Sequence, residues 1–131
     1  MKFPLSEKPT KFGRIPDSKV PVALHTIRGP VLLNFLLDTG ADFTMLPKHL
    51  ASEMGIDLAR CPTDRSFGIE GKGMKTYLSA ILISIGPHRF TVRCLFAERE
   101  DVPYILGRAD LFDRFSITFD NRRKKIILTR L

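Results

Sequence analysis

Apolar and polar residues alternate along several short runs of this chain, and a period of two marks a half-buried strand. In Tyr77 to Ile85, the residues Ile81, Ile83 and Ile85 share one face. In Phe90 to Ala97, Phe90, Val92, Cys94 and Phe96 do the same, and Gly86-Pro87-His88 joins the two runs as a turn. Val20 to Thr26 reads as a further strand, with Pro21 marking an edge position. Val31 to Leu37 is apolar nearly throughout, which predicts a strand buried on both faces. Tyr104 to Gly107 predicts a short buried strand. Ser116 to Phe119 and Lys125 to Leu128 predict a closing hairpin across Asp120-Asn121-Arg122. Helical signals are few. Pro47 suits the first turn of a helix that stops before Gly55, with Leu50 and Met54 on its buried side. Ala109 to Phe115 suits a second short helix. Residues 1–19 are rich in Lys, Pro and Ser and show no period, so they read as an extended or flexible arm. The rest, 20–131, reads as one mainly β domain without repeat or linker.

Composition narrows the class. At 131 residues, 44% hydrophobic and with ten Phe, the chain can build one compact core. It has no run of about 18 apolar residues, so no membrane-spanning helix is expected. Its first residues hold no apolar stretch of the secretory kind. Cys61 and Cys94 stand apart without metal-ligand spacing and read as buried thiols of a reducing compartment, the cytoplasm. The net charge of +7 lies mostly at the end: the last eleven residues hold Arg122, Arg123, Lys124, Lys125 and Arg130 and no acid. Such a cluster can bind nucleic acid, but on a hairpin it more often keeps a strand edge in water. Nucleic acid is therefore not the expected partner.

The chemistry points to Asp38-Thr39-Gly40-Ala41, which follows the apolar run Val31 to Leu37. There a carboxylate sits where a strand opens into a turn, held in place and partly shielded from water. Gly40 supplies the backbone freedom that lets amides approach it. Ala41 lacks the hydroxyl that a serine would aim at it. His25, His49 and His88 lie at unrelated places, and no Cys–His or Ser–His pairing is suggested locally. Two carboxylates held close together cannot both ionise cheaply, so they share a proton. The ionised one can take a proton from water while the protonated one donates to a peptide carbonyl. This route needs no metal and no organic cofactor. The chain carries one such motif, so a second carboxylate has to come from a second chain.

Leu36-Leu37-Asp38-Thr39-Gly40-Ala41-Asp42 resembles the active-site segment of the retropepsins, the retroviral-type aspartic proteases. Ile105-Leu106-Gly107-Arg108 resembles that family's second signature, and Phe67-Gly68-Ile69-Glu70-Gly71 its glycine-rich flap. The stretch Ile105 to Leu128 and the helix after the motif look most like the small prokaryotic retropepsin-like proteins. The resemblance implies a closed β-barrel with one or two short helices, assembled as a homodimer that cuts peptide or protein substrates. It implies that Asp38 is catalytic, and that Thr39 bonds across the dimer. It also implies that Asp42 and Arg108 pair beside the site, and that Phe67, Gly68, Ile69, Glu70 and Gly71 close over substrate. Lys125 to Thr129 is then the expected dimer strand. The other reading is a catalytically silent, peptide-holding dimer on the same fold.

Overall fold

The computed structural model describes residues 1–67 and 73–131. Its strands are β1 (Lys2–Pro4), β2 (Ser6–Thr10), β3 (Gly13–Asp17), β4 (Lys19–Thr26), β5 (Gly29–Leu37), β6 (Thr44–Pro47), β7 (Thr63–Phe67), β8 (Gly73–Ile85), β9 (His88–Ala97), β10 (Ile105–Leu106), β11 (Phe115–Asp120) and β12 (Lys125–Arg130). One short helix, α1 (His49–Glu53), follows β6, and a single 3-10 turn covers Leu58–Arg60. No helix among the described residues is long and apolar enough to cross a membrane.

The main sheet runs β4-β5-β10-β6-β9-β8-β7, and β4 also pairs with β8 through Ala23↔Ser84 and Leu24↔Ile83. The sheet therefore curls until its first strand meets its sixth. Period-two alternation on β4, β8 and β9 explains why it curls around a core. Val20, Val22, Leu24, Ile81, Ile83, Ile85, Phe90, Val92, Cys94 and Phe96 are all buried. At about 25 cal/mol per Å² of apolar surface, such side chains each contribute roughly 1.5–3 kcal/mol against the entropy of ordering them.

A second sheet, β1-β12-β11, closes one end with Phe115, Ile126 and Leu128 buried. Here β12 is the middle strand, paired to β1 and to β11 within the same chain. β12 is thus flanked on both sides from Lys125 to Ile127, and β1 and β11 are the two edge strands of this sheet. The third sheet is the β2–β3 hairpin by itself. The segment read as an arm therefore takes the form of β1 and this hairpin. The tip turns at Gly13, with φ of 110°, and the Thr10 hydroxyl accepts from Phe12 N and donates to Gly13 O. A β-branched or other L residue would be strained at that φ.

Several expectations are corrected. Pro47 ends β6 and does not open the helix, because Thr44 to Pro47 pairs in parallel with Cys94 to Ala97. The segment Ala109 to Phe115 is not a helix: Ala109 to Arg114 is a series of turns, and Phe115 opens β11. Asp110 has φ of 65°, which breaks helical continuity, so only isolated helical bonds form, such as Phe112 N to Arg108 O and Phe115 N to Leu111 O. Strand β5 is not buried along its whole length. Phe35 and Leu37 are buried, but Val31 and Leu32 are exposed although both pair with β4. Cys94 is buried, and burial pushes its thiol pKa up, whereas Cys61 is only half-buried and donates to Asp57 O.

Candidate active site

The strand β5 delivers Asp38 to the edge of the sheet. Its last residues are fixed by β10, which runs parallel to it with Ile105↔Leu36 and Leu106↔Leu37. Leu36 N donates to Tyr104 O at 2.8 Å and Asp38 N donates to Leu106 O at 3.0 Å. The turn then folds back on the carboxylate: Gly40 N donates to Asp38 Oδ1 at 2.9 Å, and Ala41 N donates to Asp38 O at 3.2 Å. Asp38 is half-buried, while Thr39 and Gly40 are exposed. Among the described residues no cationic side chain pairs with the Asp38 carboxylate. An acceptor held rigidly, open on one side and without a counter-charge, is suited to exchange protons with a bound molecule. A cleft of about 520 Å³ opens at Asp38 and Thr39, walled by Leu36, Leu37 and Phe119.

The two sequence signatures meet here. Arg108 N donates to Ala41 O and Ala109 N to Asp42 O, both at 2.9 Å, so the Gly107 segment is zipped along the Asp38 turn. The Arg108 guanidinium donates to the Asp42 carboxylate. Both partners are substantially exposed, Arg108 by 46% and Asp42 by 75% of the side chain. An ion pair this wet is worth ~0–1 kcal/mol to the fold. The pair uses Oδ1 and leaves Asp42 Oδ2 open to meet another group.

Three further residues brace this corner without having been singled out in the sequence. Thr44 is fully buried, and its Oγ1 accepts from Gly107 N at 3.3 Å. Arg93, on the outer side of β9 between buried Val92 and Cys94, donates to Asp110 through Nε at 2.9 Å and Nη2 at 3.3 Å, and its backbone N donates to the same carboxylate at 2.8 Å. The same guanidinium lies over the Phe43 ring, 5.4 Å from its centre. The alternation of β9 would place Arg93 outward, but nothing local pairs it with a residue 17 positions on. Of the predicted flap, Phe67 ends β7, which pairs with β8 from Thr63↔Tyr77 to Phe67↔Gly73. Gly68, Ile69, Glu70 and Gly71 lie outside the described residues. No three His, Cys, Asp or Glu side chains among the described residues converge as a metal site.

The Arg93–Asp110 pair gives a pH-dependent prediction. Hydrogen bonding from Arg93 holds the Asp110 carboxyl below the usual carboxylate range. A lowered folded pKa stabilises the fold above the ordinary carboxylate value of about 4, and that stabilisation is lost as pH falls through the lower folded value. Asp110→Asn keeps a residue that tolerates positive φ but removes the charge. It should cost about 1 kcal/mol near neutral pH, with the difference from wild type shrinking toward pH 3. Urea unfolding at the two pH values reads this directly, and a constant difference would contradict it.

A model of the aspartyl protease family matches residues 20–109, which include the Asp38 turn and the Gly107-Arg108 segment. No curated protein matches the chain. Among solved structures, the fold is similar to that of a retropepsin-like aspartic protease from Rickettsia conorii, with a TM-score of 0.66, 19% identity and 98% of each chain covered. The matched stretch spans more than half of the sequence and holds both strand ends that build the corner around Asp38, and the chain belongs to the aspartyl protease family, with a retropepsin-like fold.

Proposed function

We propose that the protein is a homodimeric aspartic endopeptidase in which two copies each contribute one Asp38. The observation that carries this reading is a half-buried carboxylate, held by the Gly40 backbone amide, without a cationic partner among the described residues and open to a cleft. Two such groups facing across a two-fold axis would share one proton. One carboxylate would then activate water and the other would protonate the scissile carbonyl oxygen. An isologous interface serves this arrangement because the same patch is used twice.

The open side of β11 and the exposed Phe119, which borders the cleft at Asp38 and Thr39, support that patch as the meeting surface. As a middle strand, β12 offers less open edge for this than β11. Thr39, exposed at the turn, would bond across the axis, and Asp42 would meet substrate backbone with the carboxylate oxygen that Arg108 leaves open. Pairing of β4 with both β5 and β8 supports a closed barrel beneath the site. The antiparallel β7–β8 pair, which reaches as far as Phe67↔Gly73, supports an extended peptide lying along this end of the sheet.

The direct test is digestion of a diverse peptide mixture at several pH values over a dilution series. Cleavage per molecule should fall on dilution, because the monomer holds half a site. Concentration-independent cleavage would remove the dimer, and peptide binding without cleavage at any pH would remove the enzyme. Arg108→Ala is expected to change unfolding free energy by less than ~1 kcal/mol, since the ion pair is exposed. It should nevertheless lower activity most at limiting protein concentration, by loosening Asp42 at the assembled site. Activity equal to wild type across the dilution series would contradict that role.

A further inference from the structure

The β2–β3 hairpin is the one sheet that contributes nothing to the core: every residue from Ser6 to Pro16 is exposed. A free two-stranded hairpin is marginal in water, yet this one is anchored at its base to the strand that ends in Asp38. Leu37 N donates to Ser18 O at 2.9 Å, and Ser18 Oγ donates to Leu37 O at 3.2 Å. On the other side of the hairpin, Leu5 N donates to Lys124 O at 3.0 Å. Two clefts share Leu36 in their walls. In the one that holds Asp38, Leu5 and Pro16 form part of the wall. In the other, of about 590 Å³, Lys8 and Lys19 face Leu36 and the loop 100–104. The hairpin thus borders both clefts beside the Asp38 strand.

Its two acids, Glu7 and Asp17, lie toward its base, Asp17 paired with Lys19 at 3.7 Å, and the charge on the rest of the ribbon is cationic. From Lys8 to Arg14 it carries Lys8, Lys11 and Arg14 and no acid. Among the described residues none of the three forms an ion pair; Arg14 donates only to the backbone carbonyl of Glu7. The acids that share a cleft with Lys8 are engaged elsewhere, Glu100 with His49 and Asp101 with Arg99. At the tip Phe12 is 98% exposed. Three cations without counter-charges, on a ledge that leaves the floor of the candidate site, fit an acidic chain passing over it.

We propose that the hairpin is an exosite that selects peptides with Asp or Glu a few residues away from the bond being cut, with Phe12 meeting an apolar neighbour of those acids. The proposal rests on the reading of Asp38 as the centre of a peptide-hydrolysing site. An extended peptide advances ~3.3 Å per residue, and a five-residue strand spans about 17 Å, so the ledge covers roughly the first five positions beyond the site.

Two measurements separate this from the reading beneath it. In the first, the Asp38→Asn chain is titrated onto a labelled decapeptide rich in Asp and Glu and onto its Asn and Gln counterpart, read by fluorescence anisotropy at low salt. The acidic peptide should bind about tenfold tighter, as a few exposed charge pairs allow, and the gap should close on adding salt or in the triple variant Lys8→Ser, Lys11→Ser, Arg14→Ser. A control variant losing three cations elsewhere, Arg28→Ser, Arg60→Ser, Arg89→Ser, should keep the gap. Equal affinities for the two peptides, or tighter binding of a single-stranded RNA decamer than of the acidic peptide, would overturn the exosite. In the second, the wild-type chain digests the peptide mixture. Cut sites should be enriched in nearby acids, and the triple variant should lose that enrichment. Failure of cleavage with the binding gap intact would count against the enzyme alone, while cleavage without enrichment would count against the exosite alone.

Discussion

Asp38→Asn is expected to remove peptide cleavage while leaving the fold in place. The substitution keeps an oxygen where Gly40 N donates at 2.9 Å, and it does not touch the backbone bonds from Asp38 N to Leu106 O and from Ala41 N to Asp38 O. The side chain is half-buried and pairs with no cation among the described residues, so losing its charge leaves no stranded partner. What disappears is the capacity to hold and release a proton. A homodimer would lose it from both halves at once. General acid–base chemistry contributes ~10²–10⁴-fold per group, so a loss of at least about 10⁴-fold is expected. The fair comparison is made at equal dimer content, measured by sedimentation, with unfolding curves showing equal stability. Residual cleavage within tenfold of wild type would sink the mechanism.

Gly107→Ala is expected to damage the site through the backbone. A Cβ at this position would lie 2.4 Å from the carbonyl carbon and oxygen of Phe43 and 2.9 Å from Thr44 N. Those atoms belong to the chain itself and cannot rotate away as a side chain could. Either the Gly107 segment moves off the Asp38 turn or the turn moves off β10. The bonds at risk are Gly107 N to Thr44 Oγ1, Arg108 N to Ala41 O and Ala109 N to Asp42 O. Overpacking costs typically 1–3 kcal/mol, and contact with immobile backbone puts this case near ~3 kcal/mol. Urea unfolding should show that loss, and cleavage should fall further than stability alone explains because Asp38 and Asp42 shift relative to each other. Wild-type stability in Gly107→Ala would show that the two segments are not packed as described.

Much of the corner around Asp38 was legible because its signals are local. An apolar run ending in Asp-Thr-Gly marks a strand that opens into a turn, and alternation on Tyr77 to Ala97 marks a strand pair with one dry face. What escaped was pairing at a distance. Thr44 to Pro47 contains a proline and reads as the approach to a helix, yet parallel pairing with β9 makes it a strand. Asp110 has no local mark of a backbone at positive φ. It is held there by three hydrogen bonds from Arg93 on another strand, and so a predicted helix becomes a set of turns. The hairpin at the start lacks an apolar face altogether. Period alone therefore gave no sign of it, although Thr10 and Gly13 at its tip carry the turn chemistry.

By itself, the sequence determined the mainly β class, the strands whose faces alternate, and the family, because these depend on side-chain type and spacing along the chain. Only the tertiary structure decided that β12 lies in the middle of its sheet and β11 at an edge, since an edge is defined by what pairs beside it. It also decided that Gly107 must be glycine for want of space rather than for backbone freedom, since the crowding atoms come from Phe43 and Thr44, more than sixty residues earlier. And it placed the base of the hairpin that carries Lys8, Lys11 and Arg14 beside the strand of Asp38, which no spacing announces, because the hydrogen bonds that fix it join Ser18 to Leu37 and Leu5 to Lys124 across the fold.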